Sequence, residues 1–223
     1  METYFWGELP YIVKYPVARS TSNPTIIFLH GAGTRGRDIS VLERNSFLGV
    51  NSCISDKDSP FMVFAPLCTK DSWYDVFEQL QEFVNIVVAR PEVDESRLYL
   101  VGNSMGGYGA WQLAMTMPEY FAALVPICGG GMRWNVGRLI HIPVWAFHGR
   151  EDKTVPVQES ILMVDGLNKA GGKARLTIME DTGHNCWDAA YGMKKLFDWM
   201  LSQKKTGTAT AQNNKYADSK LFG

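Results

Sequence analysis

Short β-branched apolar runs alternate with amphipathic stretches along most of this chain, and this alternation limits the folds open to it. TIIFLH (25–30) stops at Gly31, and FMVFAP (61–66) stops at its own proline. Runs of this length, bounded by Gly or Pro, are typical of buried strands. Strands that alternate with helices pack as a mostly parallel sheet with helices on both faces. The sequence therefore predicts an α/β protein.

The predicted elements cover 1–203 without a linker or an internal repeat, which predicts a single domain. Segments 2–6 and 9–15 flank a Gly-Glu turn and are expected to pair as a hairpin. The other predicted strands are 25–30, 61–66, 97–102, 122–128, 143–149 and 174–180, and the predicted helices are 73–90, a segment after 102, 157–169 and 189–203. Residues 204–223 are predicted to be a flexible tail that Tyr216, Leu221 and Phe222 could dock on the domain.

Composition excludes several classes of function. Lys plus Arg (22) balances Asp plus Glu (23), so no basic field for nucleic acid or a membrane surface is expected. The apolar runs are far shorter than the ~20 residues of a membrane span. No cation precedes Lys14, unlike a secretory signal, and the four cysteines lack CxxC spacing. We expect a cytoplasmic protein with free thiols, no zinc site, and neither a nucleic-acid nor a membrane partner.

The segment GNSMG at 102–106 fits the pattern Gly-x-Ser-x-Gly, which places a serine on a tight turn between a strand and a helix. Gly102 and Gly106 remove side chains that would collide with the strand and the helix. The segments RLYLV and GYGAWQLAM supply both flanking elements. A glycine-rich phosphate loop is the alternative, but this segment has neither a Walker lysine nor GxGxxG. Ser104 is therefore predicted to be a nucleophile.

A serine nucleophile needs a general base, and four histidines compete for this role. In proteins built around this turn, the nucleophile, the acid and the base follow in that order along the chain. His30 precedes Ser104, while His141 and His148 are interpreted as packed, exposed or loop-supporting residues. Only His184, in DTGHNCWD, comes late enough to leave room for an acid. The sequence predicts His184 as the base.

The acid that orients this base is expected in the loop HGREDKTVP (148–156). Asp152 is preferred because the pattern His-Gly-x-x-Asp-x-x-Val-Pro recurs as an acid-bearing loop in proteins built around the same turn. Glu151 is the alternative in the same loop. Asp181 lies in the loop of the base itself and is interpreted as a turn former.

An oxyanion hole requires two backbone N–H groups beside the nucleophile. One is expected from Met105, which follows the serine. The other is expected from HGAGTRG (30–36), where small residues let the backbone approach without filling the site. Ala32 is the preferred donor and Gly33 the alternative.

Four segments together resemble the α/β-hydrolase superfamily: FLHGAGTRGRD, GNSMGGYGAW, FHGREDKTVP and GHNCWDAAY. They are most similar to the esterase and predicted-peptidase branch near dienelactone hydrolases, acyl-protein thioesterases and feruloyl or polyhydroxybutyrate esterases. The resemblance spans residues 9–203. It implies an α/β-hydrolase fold, with an eight-stranded sheet whose second strand is antiparallel, and no metal or organic cofactor. Only 129–143 separates the sixth and seventh strands, so no large lid domain is expected.

The resemblance implies a serine hydrolase that cleaves small carboxylic esters through an acyl-enzyme intermediate. A thioesterase or a peptidase with the same residues is an alternative, and a small-molecule receptor that retains them is another. An inactive scaffold is the least favoured. The sequence does not indicate an oligomeric state.

Substrate contacts are expected from two tryptophans, with packing in the core as the alternative for each. Trp73 follows the FMVFAP strand, and Trp187 follows the predicted base. Arg35 and Arg37 follow the candidate oxyanion donors Ala32 and Gly33 and could meet an acidic substrate group, although solvated or ion-paired arginines are more common at such positions.

Overall fold

In the part of the chain that the structure describes, the strands form one eight-stranded sheet. The computed structural model describes residues 1–7, 9–49, 52–55 and 57–205. The strands are β1 (Glu2–Trp6), β2 (Leu9–Lys14), β3 (Asn23–Leu29), β4 (Met62–Pro66), β5 (Val93–Asn103), β6 (Ala123–Ile127), β7 (Val144–Gly149) and β8 (Ala174–Met179).

The sheet has the order β1-β2-β4-β3-β5-β6-β7-β8. β2 pairs antiparallel with both β1 and β4, and every other neighbouring pair is parallel. The predicted hairpin and the predicted antiparallel second strand are both confirmed. Because parallel strands end at a common edge, the loops after β3, β5, β7 and β8 can meet there.

Within the described residues, five α-helices cover the two faces of this sheet. They are α1 (Phe77–Val88), α2 (Met105–Thr116), α3 (Gln158–Lys169), α4 (Trp187–Tyr191) and α5 (Lys194–Ser202). Successive residues of β3 enter different buried clusters, since side chains alternate between the faces of a strand. Ile27 packs with residues of α1, α2 and α3, whereas Ile26 and Phe28 pack with residues of α4 and α5.

Two helices differ from the prediction in their extent. The helix expected over 73–90 begins at Phe77, because Ser72 closes a turn before it: its backbone N–H and hydroxyl donate to Asp75 Oδ2 at 2.8 and 2.6 Å. The helix expected over 189–203 is divided into α4 and α5 around Gly192.

No large lid is present between β6 and β7, where the chain forms a short 3₁₀ segment, Arg133–Leu139. Within the described residues, no helix has the length and apolar character needed to cross a membrane. Of the predicted tail, Lys205 is described, and its N–H donates to the Ser96 carbonyl at 2.9 Å. The expectations for 206–223, including Tyr216, Leu221 and Phe222, lie outside the described residues.

The turn between β5 and α2 is in direct backbone contact with β3. A Cβ at Gly106 would lie 1.9 Å from the Leu29 carbonyl oxygen, and one at Gly102 would lie 2.1 Å from the Gly106 carbonyl oxygen. Both distances are shorter than any non-bonded contact, so only glycine fits at these two positions. The spacing of GNSMG is therefore a packing requirement of the turn.

We expect Gly106→Ala to lower the free energy of unfolding by about 3 kcal/mol or more, because its methyl group forces β3 and α2 apart. Urea denaturation measures this change. Gly137→Ala is the matched control, since a Cβ there meets its nearest atom, Ala170 Cβ, at 4.0 Å. The control should change stability by less than about 1 kcal/mol, and equal losses in the two variants would contradict the packing argument.

Candidate active site

Ser104 occupies the turn between β5 and α2 in a backbone conformation that L-residues rarely adopt, with φ 54° and ψ −120°. Its N–H donates to the Ile127 carbonyl at 2.8 Å, which fixes the turn to the end of β6. Strained residues persist only where their surroundings hold them, and they concentrate at functional sites. The turn presents the half-buried Ser104 side chain at the edge where the parallel strands end.

His184 lies beside this serine. Its Nε2 is 2.8 Å from Ser104 Oγ, and its Nδ1 is 2.6 Å from Asp152 Oδ2. The loop that carries His184 is held against the end of β7: the Glu151 N–H donates to the Thr182 carbonyl at 2.9 Å, and a Cβ at Gly149 would lie 2.1 Å from a carbonyl oxygen of this loop. The structure thus brings together the three residues predicted as nucleophile, base and acid.

Asp152 is buried and accepts several hydrogen bonds. Its Oδ1 accepts the backbone N–H groups of Thr154 at 2.9 Å and Val155 at 2.8 Å, while Oδ2 faces His184. Burial opposes ionisation of this carboxyl, but the hydrogen bonds from His184 and the backbone outweigh it, so the pKa of Asp152 is lowered from its usual range. The side chain is therefore a carboxylate at neutral pH.

A carboxylate at Asp152 determines where the proton of His184 resides. Because an ionised carboxylate only accepts hydrogen bonds, Nδ1 of His184 must carry the hydrogen. In the neutral imidazole, Nε2 is then an acceptor that faces the hydroxyl of Ser104. The arrangement can take up the serine proton at Nε2.

The two alternative acids lie elsewhere. Glu151 is exposed. Asp181 is exposed as well and adopts a left-handed backbone conformation, with φ 51°, as a turn residue can. Neither makes the contact with His184 that Asp152 makes.

The two residues predicted for the oxyanion hole each begin a helix. Met105 is the first residue of α2, and Ala32 is the first of a 3₁₀ helix, Ala32–Thr34. The first N–H groups of a helix have no acceptor within it, so they can face a ligand. A Cβ at Gly31 would lie 3.3 Å from Ser104 Cβ, which places the start of this loop against the serine. Ala32 and the alternative donor, Gly33, are both exposed, so exposure does not distinguish between them.

His30 and Trp73 hold the loop that carries Ala32 through hydrogen bonds to its backbone. His30 Nε2 accepts the Cys68 N–H at 2.9 Å, so its hydrogen is on Nδ1, which donates to the Gly31 carbonyl at 2.7 Å. The Trp73 indole N–H donates to the His30 carbonyl at 3.0 Å. Burial lowers the pKa of His30 to about 4. The hydrogen bond to Gly31 raises the pKa, and the nearby charge of Arg35 lowers it. His30 is therefore a neutral structural residue.

The burial of Trp73 contradicts the prediction that this side chain contacts the substrate. The side chain is 0% exposed, because the absence of a side chain at Gly109 lets the ring pack at 3.1 Å from where a Cβ there would be. The core alternative therefore holds for Trp73. Trp187 is half-buried and stands edge-on to His184, with ring centroids 5.2 Å apart, so a substrate contact from it stays a prediction.

A groove of about 600 Å³ lies beside Ala32 and has a mixed-charge wall that includes Arg35, Lys70, Asp71 and Asp75. Arg35 donates to the Ala32 carbonyl at 2.9 Å and to the Asp71 carbonyl at 2.6 Å, so it ties the oxyanion loop to the loop after β4. Arg37 is exposed. The wall carries both signs of charge and does not by itself select an acidic substrate.

Two buried cysteines, Cys128 and Cys186, lie next to the backbone of His184. Their Sγ atoms are 2.9 Å apart, and the Cys128 thiol donates to the His184 carbonyl at 3.1 Å. The hydrogen bond with Cys128 and burial raise the pKa of Cys186 far above its usual range, so this thiol stays neutral. The potential ligand atoms of Cys128, Asp152 and His184 lie within 4.8 Å of one another. Mutual hydrogen bonds already account for the positions of the last two.

Sequence reasoning missed one residue of this site. His148 was expected to support the next loop, and its Nε2 does approach the Val155 carbonyl at 2.9 Å. The same nitrogen, however, lies 3.2 Å from Asp152 Oδ2. The i, i+4 spacing of His148 and Asp152 across the tight end of β7 is the sequence signal that could have indicated this contact.

A serine held on a strained turn of a mostly parallel eight-stranded sheet, with a histidine and a carboxylate in hydrogen-bonded series, defines an α/β hydrolase. More narrowly, the chain belongs to the dienelactone hydrolase family, whose model matches residues 43–193. The match includes Ser104, Asp152 and His184 but not Ala32. The predicted superfamily is confirmed. No curated protein matches the chain significantly.

Several solved structures share this fold. A thermostable esterase is 31% identical with a TM-score of 0.76; the match covers 92% of this chain, which spans 62% of that protein. Est1E from Butyrivibrio proteoclasticus, solved with ferulic acid, is 13% identical with a TM-score of 0.67 and coverages of 87% and 95%. The acylaminoacyl peptidase of Pyrococcus horikoshii is 14% identical with a TM-score of 0.64 and coverages of 93% and 42%. The last two show the fold alone.

The pKa of His30 leads to a testable effect of pH on stability. The folded pKa of about 4 is below the ordinary value of ~6.5, so the unfolded chain binds a proton first as the pH falls. Between pH 6.5 and 4 the free energy of unfolding should therefore lose about 3 kcal/mol through this residue. Urea denaturation of wild type and His30→Gln across this range measures the contribution.

The control for this comparison is His141→Gln, since His141 is exposed. We expect the His141 variant to keep the wild-type dependence on pH and the His30 variant to be flatter. The same dependence in all three proteins would contradict the assignment of His30 as a buried neutral residue.

Proposed function

We propose that this protein is a serine hydrolase of small carboxylic esters. The observation that carries the proposal is the continuous hydrogen-bonded series from Ser104 Oγ through His184 to Asp152, with distances of 2.8 and 2.6 Å. Membership of the dienelactone hydrolase family and the likeness to a 31% identical esterase favour ester substrates. We also propose a single domain over 1–203, and cytoplasmic location stays a prediction from cysteine usage.

In the proposed reaction, Ser104 Oγ attacks the ester carbonyl carbon while its proton moves to His184 Nε2. The carbonyl oxygen becomes an oxyanion, which the N–H groups of Ala32 and Met105 are proposed to stabilise. His184 then gives the proton to the alkoxide of the leaving alcohol, and an acyl-serine remains. Water, activated by the same nitrogen, hydrolyses the acyl-serine and restores the hydroxyl.

Asp152 is proposed to act by orientation and charge. It holds the hydrogen of His184 on Nδ1 before the reaction and faces the imidazolium afterwards. Its lowered pKa means that the carboxylate keeps the negative charge throughout. Trp187 is proposed to line the acyl or alcohol side of the cleft next to His184.

We expect Ser104→Ala to lower kcat for a short-chain aryl ester by at least about several hundredfold and to leave the fold unchanged. Without the serine hydroxyl, only the oxyanion hole and substrate binding would still contribute to catalysis. Steady-state kinetics and circular dichroism measure the two effects. Ser202→Ala, at the end of α5, is the matched control and should retain full activity. A fully active Ser104→Ala protein would contradict the proposal. Activity on a panel of thioester and peptide substrates tests the alternatives of a thioesterase or a peptidase.

We expect Asp152→Asn to lower kcat by at least about a hundredfold, whereas Glu151→Gln should change it less than about threefold. An amide at position 152 can donate to His184 Nδ1, which then favours the tautomer with hydrogen on Nε2, and that tautomer cannot accept the serine proton. Kinetics of both variants on one ester make the comparison. Equal losses would move the acid away from Asp152, and a larger loss from Asp181→Asn would move it to the loop of the base.

A further inference from the structure

His148 makes contacts that packing alone does not require. Its side chain is 0% exposed, like that of Asp152, and the two lie at the end of β7 and in the loop after it. Nδ1 of His148 is 2.7 Å from Ser160 Oγ, in α3, and Nε2 is 2.9 Å from the Val155 carbonyl oxygen and 3.2 Å from Asp152 Oδ2. A polar ring buried this deeply needs its hydrogen bonds satisfied.

The partners of His148 determine how many hydrogens its ring carries. Ser160 Oγ donates its single hydrogen to the Gly129 carbonyl at 2.9 Å, since a carbonyl oxygen can only accept. Ser160 must then accept a hydrogen from Nδ1 of His148. The Val155 carbonyl can likewise only accept, so Nε2 of His148 must carry a hydrogen too. All three hydrogen bonds form together only when the ring is an imidazolium.

We propose that His148 is a buried imidazolium that positions Asp152 for its contact with His184. The Asp152 carboxylate then lies between two imidazole rings and balances the charge of His148. One nitrogen of His148 bridges Asp152 to the backbone of its own loop, and the other links this loop to α3. The role in positioning rests on the proposed function, whereas the two hydrogens on the ring do not depend on it.

The charge of His148 should also affect the reaction. When His184 takes up the serine proton, two imidazolium rings face one carboxylate, and the His148 charge disfavours the new one. The titratable groups around Asp152 are His148 on β7, His184 and Cys186 on the loop after β8, Cys128 just after β6, and Tyr108 on α2. Burial and a hydrogen bond with Glu159, on α3, raise the pKa of Tyr108 to about 12, so this phenol is neutral. With Cys186 and Tyr108 neutral, the two histidines are the charged groups nearest the Asp152 carboxylate, and Glu159 lies beyond Tyr108.

The first test counts hydrogens directly. Protein labelled with [15N]histidine is observed by 1H–15N NMR at pH 7.5, and the His148 signals are identified by their loss in His148→Gln. We expect two N–H signals for His148 in wild type, and loss of the Nδ1 signal in Ser160→Ala, which removes its acceptor. A bare nitrogen on His148 in wild type, or two N–H signals in Ser160→Ala, would overturn the assignment.

The second test separates positioning from a purely structural role. We expect His148→Gln to lower kcat by roughly tenfold to a hundredfold with KM within about twofold, since only the alignment of Asp152 and His184 is disturbed. The acid limb of kcat/KM should move to higher pH, because the opposing charge is gone. His141→Gln makes the same change at an exposed histidine and should alter neither quantity. An unchanged kcat, or an acid limb that stays in place, would overturn the proposal.

Two further arms keep the outcomes distinct. If His148→Gln does not fold, Ser160→Ala takes its place in the kinetic test, with the same direction expected for kcat. If wild type hydrolyses none of the esters but shows both N–H signals, the proposed function fails and the imidazolium stands. If the ester is hydrolysed but His148 has a bare nitrogen, the proposed function stands and this inference fails.

Discussion

The contact between the Ser104 turn and the end of β3 is the constraint on which the rest of the site depends. Gly106 sits so close to the Leu29 carbonyl that no side chain fits between them. This contact places the first residue of the oxyanion loop, Gly31, against the serine. This backbone contact therefore holds the proposed nucleophile next to the loop of the proposed oxyanion donors, and the hydrogen bonds of Ser104, His30, Trp73 and Arg35 add to it.

The hydrogen bonds around Asp152 complete this arrangement from the other side. The carboxylate accepts the N–H groups of Thr154 and Val155 and faces both His184 and His148. A group that is fixed by this many donors would lose little orientational freedom in the proposed reaction. Preorganisation of this kind lowers the reorganisation that each chemical step requires. The acid loop and the loop of His184 also bind each other through Glu151 and Thr182.

Much of the fold was predictable from local patterns. The eight strands follow from short apolar runs bounded by Gly and Pro, and their order places Ser104, Asp152 and His184 at one edge of the sheet. Local patterns could not show that Trp73 is buried, because the space for its ring is created by Gly109, in another element. The same holds for the Cys128 and Cys186 pair. These contacts depend on how α2 and the loop after β8 pack, which no short segment encodes. The contact of His148 with Asp152 is different, because the i, i+4 spacing of the two residues is a local signal.

The antiparallel hairpin at the N-terminus has a practical consequence. β1 is the edge strand of the sheet, and β2, β4 and β3 separate it from β5, which leads into Ser104. Its residues are largely exposed, and Phe5 and Trp6 contribute little to the core. A support, a dye or a second protein attached ahead of Glu2 would therefore lie across the sheet from the cleft. A label at the start of β1 would leave the cleft open to solution.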